Sequence, residues 1–283
     1  FCLVAASFAV VVSFILVGYF SRNPRIYSGY PKVNILKWAI ARSVTGTGAV
    51  LLIQLTSVLL FVLVVSAGFL GNPNPVYNLA PTFIWVIWWV GVAYASAFLG
   101  DVWALLNPWK ITFGWLEILW KRLNSGKSLL PIMQYPEKAG VWPALFLFLV
   151  FAWVENVYSD SIIPARISQM ILVYSILTWL GMILFGKDAW IKHGEAFSLA
   201  FGLLAKFAPT EVRLISCEST ASTSKTSELQ DQPKIVKKID REINLRPFAT
   251  GLLKMEKVST SEMLFVLLLL ATLLGIGKKA QGG

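Results

Sequence analysis

Long apolar runs alternate with polar, mostly basic connections along this chain. An α-helix needs about 17–25 apolar residues to cross a hydrocarbon layer about 30 Å thick. Six runs approach or reach that length, and the last is the shortest: residues 1–20, 44–70, 81–99, 141–157, 167–185 and 263–276. The pattern predicts an all-α, polytopic integral membrane helix bundle of about six spans.

The charges in the connections predict an orientation. The connection after the first run carries basic residues and no acid, whereas residues 71–80 carry no charge. The segments after the third and fifth runs are again basic, and the connection after the fourth has Arg166 as its only basic residue. Because Lys- and Arg-rich connections stay in the cytoplasm, we expect a multi-pass protein of the cytoplasmic membrane with its N-terminus outside.

Two shorter segments have an apolar stripe along one helix face. The stripes consist of Trp109, Phe113, Leu116, Trp120 and Leu123 in the first segment, and of Phe197, Phe201 and Leu204 in the second. Glu117 and Lys121 are spaced to pair on the polar face of the first. We predict two amphipathic helices at the cytoplasmic interface, with their aromatic side chains at headgroup depth.

The two segments also suggest an internal duplication. Gly100-Asp101-Val102-Trp103 precedes the first, and Gly186-Lys187-Asp188-Ala189-Trp190 precedes the second. We predict a parallel repeat of two spans and one amphipathic helix, with units at 44–123 and 141–207. The alternative is convergence, since Gly ends helices, Asp begins them and Trp marks interfaces in unrelated proteins.

The predicted organisation has three parts. Residues 1–210 form the membrane domain, 211–246 are a polar insert expected to be disordered in the cytoplasm, and 247–283 return to the membrane as the last span. Because the chain begins at Phe1 without Met, we expect it to be a fragment that is truncated at its end as well.

Composition supports the membrane class. The chain of 283 residues is 56% hydrophobic, with a mean hydropathy of +0.66. This apolar content exceeds what a water-exposed surface tolerates. The net charge of +10 comes from Lys and Arg between the apolar runs. We therefore expect the lipid bilayer as a partner and no nucleic acid.

Four polar residues form the one coherent candidate for chemistry. They are Asp101, Asp188, His193 and Glu195, with Asp101 and His193 as the catalytic candidates. The predicted repeat would bring Asp101 beside the other three. Carboxylates and imidazole at a membrane rim could hold a divalent metal that activates water for hydrolysis. The alternative is that these residues cap helices at the interface.

A second group is typical of a solute pathway. Gln54 is a polar residue inside the second run, and Trp85, Trp88, Trp89 and Trp103 could stack an aromatic or cationic substrate. The alternatives are a hydrogen bond from Gln54 to a neighbouring helix and a helix-packing seam formed by the tryptophans.

Four strings resemble a bacterial multi-spanning membrane family that is labelled fenitrothion hydrolase-like. They are NLAPTFIWVIWWVG (78–91), GDVWALLNPW (100–109), HGEAFSLAFGLLAKFAP (193–209) and LRPFATGLL (245–253). The resemblance implies a membrane-bound component of organophosphorus ester hydrolysis that acts with a second membrane subunit. It supplies no catalytic residues, and the insert after Pro209 is longer and more polar than this family leads us to expect.

Two functions follow from these patterns. The first is a membrane-embedded hydrolase of apolar phosphoesters that uses the four-residue polar cluster. The second is a transporter or permease component for a small apolar or aromatic solute, which passes Gln54 and the tryptophan face. A structural or accessory membrane subunit is the default if neither arrangement is present.

Overall fold

A computed structural model describes residues 33–34, 46–219, 236–246, 248–254 and 258–279. This part of the chain is mostly helical. Four helices are long and apolar enough to cross a membrane: Thr47–Leu70, Leu79–Leu99, Glu137–Asn156 and Pro164–Phe185. They coincide with the second to fifth predicted runs, so a helical protein with several candidate spans is confirmed. The first predicted run, 1–20, lies outside the described residues.

A tight turn joins the first two long helices, α1 (Thr47–Leu70) and α2 (Leu79–Leu99). Asn78 Oδ1 accepts a hydrogen bond from Ala80 N at the start of α2, while its Nδ2 donates to Ala67 O at 2.7 Å near the end of α1. One side chain therefore fixes both helix ends. Within α2, Phe83–Gly91 is π-helical, a wider winding that is rare in proteins.

Two shorter helices follow α2. Gly100 ends α2 with a φ of +117°, a region that favours glycine. The shorter helices are α3 (Trp103–Leu106) and α4 (Pro108–Leu123). Asn107 Oδ1 accepts from Lys110 N at 3.1 Å, and Pro108 occupies the first position of α4. Asn107 therefore caps α4, and Pro108 fits the first helical position because its missing N–H would have no partner there.

The next four helices have the same order of long and short elements. The long ones are α5 (Trp142–Asn156) and α6 (Pro164–Phe185), and the short ones are α7 (Lys187–His193) and α8 (Ala196–Leu204). Gly186, with a φ of +86°, separates α6 from α7. Glu195 caps α8 by accepting from Phe197 N and Ser198 N at 3.0 and 2.7 Å.

The last described helix, α9 (Thr260–Lys279), packs against α5. Its apolar part, Thr260–Leu273, is shorter than the four candidate spans. The sixth predicted run is thus helical, but the described helix does not by itself establish a sixth span.

A small antiparallel sheet has the strand order β1-β3-β2. The strands are β1 (Val33–Asn34), β2 (Thr210–Ser219) and β3 (Val236–Leu245). β2 and β3 pair from Thr210 opposite Leu245 to Ser219 opposite Val236. Within the predicted insert over 211–246, these two segments are paired strands and residues 220–235 lie outside the described residues, so the disorder expected of the insert stays a prediction.

The helix packing defines two sides of the bundle. Gly68 near the end of α1 lies against Ser168 and Pro164 at the start of α6, and Ser168 Oγ donates to Val65 O at 3.0 Å. We call the end of the bundle at which α6 begins the Pro164 side, and the end at which α6 finishes the Phe185 side. Small residues at this crossing let the two backbones approach closely.

Helices α4 and α8 begin near the middle of the bundle. Trp109 Nε1 donates to Ser175 Oγ at 2.7 Å, and the Tyr174 hydroxyl donates to Glu195. Tyr174 and Ser175 are the eleventh and twelfth of the 22 residues in α6. From this level α4 extends to the Phe185 side, where Glu117 pairs with Lys187.

The interfacial position predicted for these aromatic stripes is therefore wrong at the start of both helices. Trp109, Phe113, Phe197 and Phe201 are buried among other helices, whereas Trp120 is exposed at the far end of α4. Helical spacing identifies an apolar face, but it does not say whether protein or lipid headgroups cover that face. Glu117 also pairs with Lys187 of α7 rather than with Lys121.

Candidate functional site

An elongated, mostly apolar cavity of about 770 Å³ lies between α1, α2, α5 and α6. Its volume falls within the range of about 300–1,000 Å³ that is typical of small-molecule sites. The cavity extends from Arg166 on the Pro164 side to Leu106 and Pro108 near the middle of the bundle. The short segments after α2 thus form the lining at this level, which we call the inner end of the cavity.

The rings of Trp88, Phe151 and Tyr174, which line the cavity, pack around Phe197. The Trp88 and Phe197 ring centroids lie 4.6 Å apart, and those of Phe151 and Phe197 lie 4.9 Å apart, both with edge-to-face geometry. Tyr174 follows at 5.2 Å. Such contacts stabilise aromatic clusters beyond the burial of their area. This wall is built from α2, α5, α6 and α8 and is well suited to contact an apolar or aromatic ligand.

Few polar side chains line the cavity. Arg166 Nη1 donates to Gln169 Oε1 at 3.0 Å on the Pro164 side. Near the middle of the bundle, the Ser57 hydroxyl of α1 donates to Leu106 O. Among the described residues that line the cavity, there is no Asp, Glu or Lys.

One donor at the inner end lacks a protein acceptor. Trp103 lines the cavity and is 3% exposed, and its indole Nε1 makes no hydrogen bond to the described part of the chain. A buried donor without a partner costs about 1–3 kcal/mol.

Beside the aromatic wall, the capped starts of α4 and α8 meet at a buried carboxylate. Glu195 is fully buried. In addition to its two backbone donors in α8, it accepts from the Tyr174 hydroxyl and from Asn107 Nδ2, the latter at 3.2 Å. Asn107 Nδ2 also lies 3.2 Å from Ser198 Oγ. The carboxylate thus has four donors and lies at the positive ends of two helices, which stabilise its charge.

The predicted metal site is not formed. Among the described residues, which include Asp101, Asp188, His193 and Glu195, no group of three or more His, Cys, Asp or Glu side chains could hold a metal ion. The prediction failed because these side chains serve separate local contacts. Glu195 caps α8, and Asp101 Oδ1 accepts from Ala104 N at 3.0 Å at the start of α3.

The two catalytic candidates are likewise engaged locally. The ring of His193 stacks on Tyr135 with centroids 5.2 Å apart, and its Nδ1 lies 3.2 Å from Ala189 O. Asp101 is exposed, yet desolvation by neighbouring protein atoms raises the pKa of its carboxyl, an effect that the hydrogen bond from Ala104 and the charge of Lys110 oppose. No hydrogen bond or ion pair joins Asp101 to His193 in the described structure.

Some of the residues predicted to form a solute pathway line the cavity, and the pathway itself stays a prediction. Trp85, Trp88 and Trp103 line it, whereas Gln54 and Trp89 do not. Trp89 is buried behind the wall and donates from Nε1 to Glu155 Oε1 at 3.1 Å. Gln54 is half-buried on another face of α1. Helical spacing alone could not separate the lining tryptophans from the packing one.

Several cavity residues carry no signal in the sequence. Phe151, Tyr174 and Phe197 occur in apolar runs where aromatic residues are ordinary, and only the crossing of α5, α6 and α8 brings their rings together. The weak signal that was available was Phe197, as part of a predicted amphipathic stripe.

In three comparisons with known proteins, no protein-family model, no curated protein and no solved structure matched the chain.

Proposed function

We propose that this protein is a membrane-embedded component that binds, and helps to transport, a small apolar or aromatic solute. The observation that carries the proposal is the cavity, to which all four candidate spans contribute apolar and aromatic side chains. Among the described residues, no cluster of reactive side chains lines it. A binding role therefore agrees with the geometry better than an enzymatic one.

Lipid is the solvent that the outer surface requires. In α1, Leu59 and Leu63 are 67% and 51% exposed, and α1 buries little of its apolar surface inside the protein. Exposed apolar patches on this scale promote aggregation in water. In a bilayer the same side chains contact acyl chains, so we propose a multi-pass protein whose principal partner is lipid.

In this setting, the two capped helices begin at membrane depth. Because Trp109 and Glu195 bond to the middle of α6, the segments around Asn107 and Glu195 would be re-entrant. Irregular backbone is tolerated at this depth where protein buries it or where it lines a cavity. Asn107 and Glu195 are both fully buried, which agrees with this requirement.

The same arrangement supports the parallel repeat as part of the proposal. Each unit has two long helices, then a short helix, then a helix whose capped start lies in the middle of the bundle. Transporters built from parallel repeats place their substrate sites between the repeats near the bilayer midplane. We assign the Pro164 side to the outside, since the basic connections lie on the other side.

The hydrolase reading stays a prediction. The resemblance to the fenitrothion hydrolase-like family, with its second membrane subunit, is independent of the cavity. However, the metal site that would have supported hydrolysis is not formed, and the proposed function does not use those residues.

Two substitutions at adjacent positions of α1, one inside the cavity and one outside it, test the proposal. Leu60 lines the cavity, and the adjacent Leu59 does not. Leu60→Trp adds bulk to the cavity. It is expected to reduce photolabelling by a diazirine-bearing alkylbenzene at least about tenfold, because the indole ring fills space that the ligand would occupy. Leu59→Trp adds the same bulk to the lipid-facing side and should leave labelling unchanged.

The readout is mass spectrometry of labelled peptides from protein in lipid nanodiscs. The proposal expects labels on cavity residues of α6 such as Met170 and Val173. If both variants are labelled like the wild type, or if labels fall only on lipid-facing residues, the cavity is not a binding site.

A further inference from the structure

We infer that the cavity takes a single-chain amphiphile with one anionic group, a long-chain carboxylate, whose head pairs with Arg166. This inference rests on the proposed binding function and assigns its ligand class. It follows from the distribution of charge along the cavity, from the cavity's shape and from the bonding of Arg166.

Arg166 is the one charged residue among the described residues that line the cavity. It lies at the Pro164 side, is exposed, and bonds to the neutral side chain of Gln169. Among the described residues, the ion pair that is found joins Glu117 and Lys187. Arg166 therefore forms no ion pair with a described carboxylate. A guanidinium in this state is free to bind an anion with two parallel hydrogen bonds.

The rest of the cavity suits a long apolar chain. From Arg166 to Leu177, the lining follows α6 for 11 residues, or about 16 Å at the rise of an α-helix. Ile167, Met170 and Val173 lie along this path. One charged end and a mostly apolar body are the features of an amphiphile, and an uncharged hydrocarbon would leave Arg166 unused.

The charge count favours a carboxylate over a phosphate monoester. A phosphate monoester carries about −1.5 to −2 charges at pH 7, whereas a single guanidinium lines the cavity. A carboxylate balances that guanidinium one to one. With no carboxylate among the described lining residues, a cationic head would find no partner. The volume of about 770 Å³ corresponds to a single small ligand.

The test compares two probes that differ in the head group, hexadecanoic acid and hexadecanol. Both are radiolabelled, and binding to the purified protein in nanodiscs is measured at pH 8 against empty nanodiscs. We expect the wild type to bind the acid about three- to tenfold more tightly than the alcohol, as is typical of a partly exposed charge-assisted contact.

Two arginine variants identify the residue responsible. Arg166→Gln should reduce the affinity for the acid to that for the alcohol and leave the alcohol unchanged. Arg122→Gln is the matched control, because Arg122 is an exposed residue of α4 outside the cavity. It should behave like the wild type.

The outcomes separate this inference from the proposed function. Equal binding of acid and alcohol by the wild type, with both lost in Leu60→Trp, would overturn the assignment of an anionic ligand and keep the cavity as a binding site. An acid preference that survives Arg166→Gln would also overturn it. Binding of neither probe above empty nanodiscs, with no effect of Leu60→Trp on alkylbenzene labelling, would overturn both.

Discussion

Replacement of Glu195 by alanine is expected to lower the thermal midpoint of the protein in detergent by about 10 °C, which corresponds to about 3–5 kcal/mol of unfolding free energy. The physical reason is the number of donors that lose their acceptor. The Tyr174 hydroxyl, Asn107 Nδ2, Phe197 N and Ser198 N all bond to this buried carboxylate. Water cannot easily reach the vacated position to replace it.

Two further substitutions make this experiment specific. Glu195→Gln keeps the size and one acceptor oxygen but turns an NH₂ group toward existing donors, so a smaller loss is expected. Asp188→Ala removes an exposed carboxylate of α7 and should change the midpoint by no more than about 1–2 °C. A midpoint for Glu195→Ala within that same interval would contradict a structural role for the carboxylate.

Gly68→Val is expected to destabilise the bundle by about 3 kcal/mol and to abolish ligand binding. A Cβ atom at this position would lie 1.9 Å from Ser168 Oγ and 2.6 Å from the backbone oxygen of Pro164. Ser168 can rotate, but the carbonyl of Pro164 belongs to the helix backbone and cannot. α1 must therefore move away from α6.

The loss of binding follows because α1 and α6 are two of the walls of the cavity. The matched control is Gly48→Val in the same helix, where an added Cβ meets no atom within 4 Å. We expect nearly wild-type stability and binding for the control, measured by thermal unfolding and alkylbenzene labelling. Equal behaviour of the two valine variants would mean that the close approach of α1 and α6 is not required.

The sequence predicts those features of the fold that depend on neighbouring residues. Long apolar runs predict α1, α2, α5 and α6, since length and hydropathy alone decide whether a helix can span. The cap at Asn107 and Pro108 and the break at Gly100 are also local, because each depends on the conformational preference of one or two residues. These features therefore needed no knowledge of the tertiary structure.

Features that depend on helix crossings were predicted poorly. The stripe from Trp109 to Leu123 is apolar in the first turns because α6 covers it, and the sequence pattern is the same whether the cover is protein or lipid headgroups. The sequence presents Glu195 only as a candidate metal ligand or helix cap, because its role as a shared acceptor requires Tyr174 and Asn107, which are distant in sequence. Composition likewise carries no signal for the pairing of β2 with β3, which is made by the backbone.

The most direct test of the ligand cavity is the position of a brominated alkylbenzene in a cryo-EM or crystallographic map of the lipid-embedded protein. The account predicts bromine density between α1 and α6, enclosed by Leu60, Trp88 and Tyr174. Density that is found only on the lipid-facing surface of α1 beside Leu59, with the cavity empty at saturating ligand, would contradict it.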